Sequence, residues 1–249
     1  MKFSILFFLI ISIVAGCKND PLETSKVKGR QILIDQIYYP DSSISEFILP
    51  YKNELRDEIS TVLCYNPRTL SRTEKDLESA LGNIYADICY KTADSIFNEK
   101  TGKNIDFALF NYGGIRTVIP KGDITVGNIF ELMPFENKLV IVELTGTQTL
   151  DLFNYLKDNK KAHPISGLRL ELKGENFENI LIQKEPFDPT KNYYVLTHDY
   201  LQHGGDNMSF FKNPVSLFST QYKVRDVIID SLAKIDTLHA FTDGRFVKI

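Results

Sequence analysis

The stretch that decides the fold of this chain is residues 111–135, NYGGIRTVIPKGDITVGNIFELMPF. It follows the run DFALF at 106–110, which is apolar after its first residue and predicts a short buried strand. Gly113 and Gly114 come soon after that strand, where α/β proteins tend to place ligands. Because glycine has no β-carbon, a ligand can approach the backbone closely there. The stretch therefore predicts a binding loop at a strand end.

Two more side chains of this stretch suit a ligand. Arg116 offers a planar fork of donors that matches a carboxylate or a phosphate. Pro134 fixes the chain direction ahead of Phe135, whose flat face suits stacking on a planar ring. Taken singly, paired glycines also mark ordinary turns, and an aromatic residue after proline also suits a core position.

Four blocks taken together resemble the C-terminal substrate-binding domain of the 5'-nucleotidase / UDP-sugar hydrolase family. They are N-x-G-G-I-R at 111–116, G-D-I-T at 122–125, P-F-x-N at 134–137 and L-T-G at 144–146. This resemblance implies an α+β fold, with a mixed β-sheet flanked by helices. It also implies that Phe135 is one wall of a clamp for a nucleobase and that Asn137 hydrogen-bonds the base. The residues implied to bind substrate in the first block are Asn111, Gly113, Gly114 and Arg116.

A further block, YLQHGGD at 200–206, is similar to a family loop in which an aromatic residue precedes Gly-Gly-Asp. By that resemblance Tyr200 is the second wall of the clamp, Gly205 belongs to the binding loop, and Asp206 meets the ribose hydroxyls. The family usually has phenylalanine at the clamp position, and a phenol ring still stacks. Without the resemblance, these residues fit a core tyrosine and an aspartate that fixes its own loop.

The block E-S-x-x-G-N-x-x-x-D at 78–87 resembles a family helix that packs beside the nucleotide pocket. The family often has an arginine just ahead of the glutamate, placed to meet phosphate. Here residues 75–77 are Lys-Asp-Leu, and the nearest arginine is Arg72. Capping and packing at a seam between helix and sheet is the interpretation that we favour for Asn83 and Asp87.

Periodicity and capping signals predict the remaining elements. Apolar spacing of three and four residues predicts helices, and runs rich in β-branched residues or with alternation predict strands. Thr145 is a suitable N-cap for one of the helices. The predicted helices are 45–63 (regular from Pro50), one from near Asp76, 146–157 and 221–234; the predicted strands are 138–144, 168–172, 180–182, 193–197 and 244–249.

The first residues, MKFSILFFLIISIVAGC, predict a signal peptide at 1–16, because the apolar run is too short to span a bilayer. The end of this run resembles the bacterial lipobox, which implies that Cys17 carries a lipid anchor. Ordinary secretory cleavage after Gly16 is the alternative. Residues 17–28 are predicted to form a polar tether, and residues 29–249 are predicted to form one domain. The lipobox resemblance implies a lipid-anchored protein of the cell envelope, at the outer membrane, with surface exposure as one option.

The overall composition is that of an ordinary globular protein. The chain has 249 residues, 43% of them apolar and 24% charged, and a formal net charge of −3. The chain has no excess of basic residues, so its composition does not predict binding to a nucleic-acid polymer. Besides Cys17, only Cys64 and Cys89 are present, and they fit either one disulfide or two buried thiols.

The sequence offers no catalytic motif. Complete 5'-nucleotidases hydrolyse phosphate esters with two metal ions, and such chemistry needs clustered Asp, Asn and His ligands. The four histidines here lie outside any such block, and His198 and His203, beside the pocket loop, fit at most a weak metal site. We therefore expect no catalytic residue, metal or cofactor in this chain. The expectation is a nucleotide-recognising half that works with a separate metallophosphatase carrying a divalent metal pair. The alternative is a stand-alone surface lipoprotein that binds nucleosides or nucleotide sugars without catalysis.

Overall fold

The computed structural model describes residues 26–35 and 38–249. The predicted signal peptide, Cys17 and most of the predicted tether lie outside the described residues. The compact unit that carries the residues of interest is Leu49–Ile249. Within the described residues, no helix combines the length and the apolar character needed to cross a membrane.

The described residues alternate between helices and short strands. Three short 3₁₀ turns, Tyr112–Gly114, Gly205–Asn207 and Ser209–Phe211, lie in the loops. The helices are α1 Ser42–Ile59, α2 Ala80–Thr101, α3 Val126–Leu132, α4 Gly146–Asn159, α5 Asp199–Gln202 and α6 Val224–Leu232. The strands are β1 Val62–Asn66, β2 Phe107–Leu109, β3 Gly122–Thr125, β4 Lys138–Leu144, β5 Ile165–Ser166, β6 Leu168–Lys173, β7 Asn176–Ile182, β8 Glu185–Pro186, β9 Tyr193–His198, β10 Ser216–Lys223 and β11 Phe246–Lys248.

The central sheet has five strands in the order β10-β4-β9-β2-β5. Its β2 and β9 run parallel, whereas β4 is antiparallel to both β9 and β10. A four-stranded sheet, β11-β6-β7-β8, and the β1-β3 pair complete the strands. The predicted α+β class, with a mixed sheet flanked by helices, is confirmed.

Two hydrophobic cores lie on the two faces of the central sheet. In β2, Ala108 belongs to the core that also contains α2 and α6, whereas Phe107 and Leu109 belong to the core that also contains α4 and β6. This alternation is the two-residue period of a strand buried on both faces. Helices on one face and helix plus sheet on the other therefore hold the central strands in place.

The strand directions bring three loops to one edge of the sheet. Because β2 and β9 are parallel neighbours, the segments after Leu109 and after His198 leave at the same edge. Strand β4 is antiparallel to β9, with Leu139 opposite His198, so β4 begins at that edge. Residues 110–116, 199–206 and 134–137 therefore meet there.

The structure corrects several predicted boundaries. The predicted helix 45–63 is α1, which spans Ser42–Ile59 with Pro50 in its interior and has no buried residue. A proline inside a helix removes one backbone donor but does not end it here. Residue 63 lies in strand β1, because Cys64 and its neighbours pair with β3.

The second helix begins later than predicted. Ser79 caps α2 by accepting from the Gly82 amide, so the helix begins at Ala80 rather than near Asp76. The last predicted helix, 221–234, is shorter, because its first residues belong to the unpredicted strand β10. In contrast, β4 has its predicted bounds, and α4 has Thr145 as its N-cap as expected.

Both internal cysteines are buried free thiols. Cys64 lies in β1 and Cys89 in α2, and neither forms a disulfide. Burial raises the pKa of both thiols above the ordinary value. Of the two alternatives drawn from the sequence, the structure has two separate buried thiols. Because burial disfavours the thiolate form, both thiols are poor nucleophiles.

Candidate functional site

One cavity at the shared sheet edge is lined by residues from all three converging loops. Its volume is about 270 Å³, close to the lower end of the range of roughly 300–1,000 Å³ that is typical of small-molecule sites. All the predicted binding residues except Gly205 line it: Asn111, Gly113, Gly114, Arg116, Phe135, Asn137, Tyr200 and Asp206.

Gly205 lies under one wall of the cavity rather than in its lining. A β-carbon at this position would lie 2.3 Å from Cε1 of the Tyr200 ring. That separation is far shorter than any van der Waals contact, so the ring packs directly on the glycine backbone. The predicted Gly-Gly-Asp loop therefore needs glycine at 205 to seat Tyr200.

Two partly exposed aromatic rings line the cavity. Phe135 is 38% exposed and Tyr200 is 47% exposed. The Arg116 guanidinium lies 5.8 Å from the centroid of the Phe135 ring, a cation–π distance, and its Nη1 donates to the Gly113 carbonyl at 3.2 Å. The cavity thus presents flat apolar faces together with one fixed positive charge.

The Asp206 carboxylate is held by hydrogen bonds from two side chains. Asn111 Nδ2 donates to Asp206 Oδ2 at 2.7 Å, and the Tyr200 hydroxyl donates to Oδ1 at 3.0 Å. Asp206 has φ of 52°, a left-handed conformation that aspartate tolerates better than most residues. The Tyr155 hydroxyl, on α4, donates to the Asp206 carbonyl at 2.9 Å and supports that conformation. The carboxylate is therefore fixed in position beside the cavity.

Two buried histidines support the loop after β2. His198 Nε2 lies 3.2 Å from Asn111 Oδ1, and His163 Nδ1 accepts from the Tyr112 amide at 3.1 Å. Burial lowers the pKa of each imidazole from the ordinary value of 6.5 to about 4. Both rings are therefore neutral at neutral pH and act as hydrogen-bonding groups without charge.

The Phe135 segment is anchored from the last helix. Arg225 of α6 pairs with the Glu136 carboxylate, and Lys223 contacts the same carboxylate at 2.6 Å. Hydrogen bonds from these two cations lower the pKa of Glu136 to about 2. The amide of Val224 also donates to the Asn137 carbonyl at 2.9 Å. The start of α6 thus fixes residues 135–137.

Arg72 supports the glycine loop instead of leaving its guanidinium free. Its Nη1 donates to the carbonyls of Tyr112 at 3.0 Å and Ile115 at 2.6 Å, and the guanidinium lies 4.3 Å from the Tyr112 ring centroid. Lys75 instead donates to the Thr242 hydroxyl at 2.8 Å. Arg116 is therefore the cation in the cavity lining.

The block at residues 78–87 makes structural contacts, as the packing interpretation predicts. Buried Glu78 accepts from Asn83 Nδ2 and from the amides of Asp243 and Gly244. Asp87 pairs with Arg245 at 2.8 Å. These polar groups fasten the C-terminal segment to the start of α2.

The sequence does not reveal which residues position the predicted binding side chains. It indicates His198 only as a weak metal ligand, and it indicates no role for Tyr155, His163 or Arg225. One sequence feature points towards a supporting role for His198: it lies two positions ahead of Tyr200, the predicted clamp residue. Among the described residues, no group of three or more His, Cys, Asp or Glu side chains could hold a metal ion.

Lowering the pH from 7 to 5 is expected to reduce the free energy of unfolding, by about 2 kcal/mol for each buried histidine. The folded pKa values of about 4 lie below the ordinary 6.5, so the unfolded chain takes up protons first. The contribution of these two histidines to the free energy of unfolding is therefore fully present above about pH 6.5, and it is lost as the pH falls towards 4. Urea denaturation at several pH values measures this dependence.

The matched control for this pH dependence is the double variant His163→Asn, His198→Gln. It removes both imidazoles, so its stability is expected to vary less with pH over the same interval. His239→Gln, at an exposed histidine, is expected to keep the wild-type dependence. An unaltered slope in the double variant would contradict the assignment of the pH dependence to these two buried rings.

Comparison with known proteins finds one family model and several relatives that match this chain. The family model described as "5'-nucleotidase, C-terminal domain" matches residues 58–213. The trifunctional nucleotide phosphoesterase protein YfkN of Bacillus subtilis is 25% identical, over 89% of this chain and 16% of its own length. A 5'-nucleotidase-related protein of Glossina morsitans morsitans is 25% identical, over 89% of this chain and 44% of its own.

The fold has a solved counterpart. The crystal structure of a 5'-nucleotidase precursor from Thermus thermophilus superposes with a TM-score of 0.69 and 26% identity, covering 82% of this chain and 43% of that one. This chain therefore spans less than half the length of these relatives.

Proposed function

We propose, because this chain belongs to the 5'-nucleotidase C-terminal domain family, that it is the nucleotide- and nucleoside-recognising part of a phosphoester hydrolase of nucleotide catabolism. The observation that carries the proposal is the single cavity that brings together Phe135, Tyr200, Asp206 and Arg116 from three separate loops. Two aromatic faces, a carboxylate and a guanidinium match the base, sugar and phosphate of a nucleotide.

In this proposal the base stacks between Phe135 and Tyr200. Their partial exposure leaves ring faces available to a ligand, and stacking of this kind contributes about 1–3 kcal/mol per base in nucleic-acid binding proteins. Asn137 lines the same cavity, and in this proposal its amide hydrogen-bonds the edge of the base.

The sugar and phosphate interact with charged groups of the same cavity. The Asp206 carboxylate has lone pairs beyond those used by Asn111 and Tyr200, and it accepts from the ribose hydroxyls. Arg116 favours an anionic substituent through its donors and its charge. Gly113 and Gly114 line the cavity, and the absence of a β-carbon at the less buried Gly113 lets the ligand approach the backbone closely.

The divalent metals of phosphoester hydrolysis belong, in this proposal, to a separate metallophosphatase. This placement is supported by the donor set of the chain: in the part that the structure describes, no group of three or more His, Cys, Asp or Glu side chains could hold a metal ion. A metal pair would polarise the phosphoryl group and activate water on that partner. The residues of this chain bind and orient the non-reacting base and sugar, so that their binding energy places the phosphate.

Phosphate release from AMP with added divalent metal tests this division of labour. The soluble chain starting at Lys18 is compared with the same protein isolated gently from its native membrane together with its partners. We expect release only from the native sample. Release from neither sample would contradict the hydrolase proposal and would leave nucleoside or nucleotide-sugar binding without catalysis as the function. Release from the pure chain would contradict the placement of the metals on a partner.

A substrate control ties that activity to the cavity. In the native sample, Phe135→Ala is expected to lower release from AMP while leaving release from ribose 5-phosphate, which has no base, nearly unchanged. An equal decrease for both substrates would indicate a loss of the partner rather than of base stacking.

We also propose that Cys17 anchors the protein by lipidation in the cell envelope, at the outer membrane. The support is the lipobox-like end of the apolar leader in the sequence. Labelling of growing cells with a clickable fatty acid is expected to mark the wild-type protein and not the Cys17→Ser variant. Equal labelling of both would contradict the proposal.

A further inference from the structure

We propose that His198 is a positioning residue, which fixes the Asn111 amide and through it the Asp206 carboxylate for the sugar hydroxyls of the ligand. This inference rests on the proposed function, where Asp206 meets the ribose. His198 itself is not in the cavity lining, so it acts on the ligand through Asn111.

The His198 ring is held in one place by its surroundings. The residue is fully buried at the end of β9. Its ring stacks on Phe110, with centroids 5.9 Å apart and planes at 29°, and on the clamp residue Tyr200, at 6.0 Å and 28°. The imidazole therefore contacts both the loop after β2 and the aromatic wall of the cavity.

The hydrogen-bond chain has one consistent direction. A carboxylate at neutral pH only accepts, so the Asn111 atom 2.7 Å from Asp206 Oδ2 is the amide nitrogen. The carbonyl oxygen of Asn111 then faces His198 Nε2 at 3.2 Å. A carbonyl also only accepts, so the neutral imidazole carries its proton on Nε2.

Loss of that donor would leave the side chain of Asn111, within the described part of the chain, held by its bond to Asp206 alone. Asn111 is buried, with 6% of its surface exposed, so its carbonyl oxygen would lack a replacement donor. An amide with an unpaired oxygen is locked less firmly, so the geometry of its bond to Asp206 would be less well defined. Nδ1 of His198 is buried with no hydrogen-bond partner among the described residues. An apolar ring would avoid that cost, so the Nε2 bond explains why an imidazole suits this position.

Calorimetric titration of the chain from Lys18 onward tests the proposal. The ligands are the tightest binder among adenosine, guanosine, cytidine and uridine, and its 2',3'-dideoxy analogue. His198→Phe keeps a stacking ring and removes the donor, so we expect about tenfold weaker binding of the ribonucleoside. Binding of the dideoxy analogue, which lacks the hydroxyls that meet Asp206, is expected to change less than about twofold.

Two further variants make the comparison specific. His198→Gln places an amide donor near the position of Nε2, so we expect ribonucleoside binding within about threefold of wild type. His203→Phe alters an exposed histidine of the same loop and is expected to leave both affinities unchanged. Equal losses for the two ligands in His198→Phe, or no loss for either, would overturn the positioning role.

A measurement without ligand keeps the inference testable if His198→Phe does not fold. In histidine-labelled wild-type protein, ¹H–¹⁵N correlations of the imidazole are expected to show the Nε2–H tautomer at His198, and the Nδ1–H tautomer would overturn the proposal. A wild-type chain that binds none of the four ribonucleosides contradicts the proposed function, and the tautomer then decides the His198 contact separately.

Discussion

Replacement of Phe135 by alanine is expected to weaken nucleoside binding by about 5- to 150-fold, the equivalent of about 1–3 kcal/mol of lost stacking. Phe135 is 38% exposed and lines the cavity, so truncation removes a ring face available to the base without emptying a core position. The segment itself stays anchored, because Arg225 and Lys223 hold the neighbouring Glu136. Titration calorimetry measures the change in affinity, and thermal unfolding shows that the fold is retained.

Phe130 offers a closely matched control for this prediction. It is also 38% exposed, but in the described chain it is not part of the cavity lining, and the Arg225 guanidinium lies 4.2 Å from its ring centroid. Phe130→Ala is therefore expected to leave nucleoside affinity within about twofold of wild type. Similar losses in the two variants, or none in Phe135→Ala, would contradict the clamp.

Gly146→Ala is expected to lower the free energy of unfolding by about 3 kcal/mol or more. A β-carbon at Gly146 would lie 1.9 Å from the Pro189 carbonyl oxygen and 2.4 Å from its carbonyl carbon. Both atoms are backbone, so neither can move without shifting the 186–193 connection. The gain in helix propensity from alanine, about 1 kcal/mol, is smaller than this overlap. Denaturant unfolding of the wild type and the variant measures the difference.

The same substitution is expected to disturb the site from a distance. Gly146 begins α4, and Tyr155 of that helix donates to the Asp206 carbonyl. Thr147→Ala, at the exposed next position of the same turn, is the control and is expected to change stability by less than about 0.5 kcal/mol. A Gly146→Ala variant as stable as this control would contradict the close packing of the L-T-G block.

The sequence was most informative where local patterns and motifs coincide. Strand β4 and the Thr145 cap follow from β-branched composition and from capping chemistry, and both were predicted correctly. The predicted binding residues come from motif blocks, and all of them except Gly205 line one cavity. What the blocks do not contain is the order of strands, which makes β9 a neighbour of both β2 and β4 and so unites the three loops.

Contacts between distant residues explain what the sequence could not provide. Arg225 lies 89 positions from Glu136, and no local pattern links them. His198 appears in the sequence as a histidine near a loop, which fits a metal ligand as well as a buried donor. The pairing of β2 with β9 brings Asn111 next to His198. This contact identifies His198 as a buried donor instead of a metal ligand. The start of α2 was misplaced because Glu78 bonds the distant residues 243–244 instead of entering the helix.

Mapping of nucleoside binding by NMR shows directly whether the three loops at the sheet edge form a nucleoside site. The backbone amides of the isotope-labelled chain are followed while adenosine, and then the other ribonucleosides, are added. We expect saturable shifts that concentrate at residues 111–116, 135–137 and 198–206, the loops that meet at one edge of the central sheet. Saturable shifts centred elsewhere, or no saturable shift with any of the four ribonucleosides, would contradict a nucleoside site at this edge.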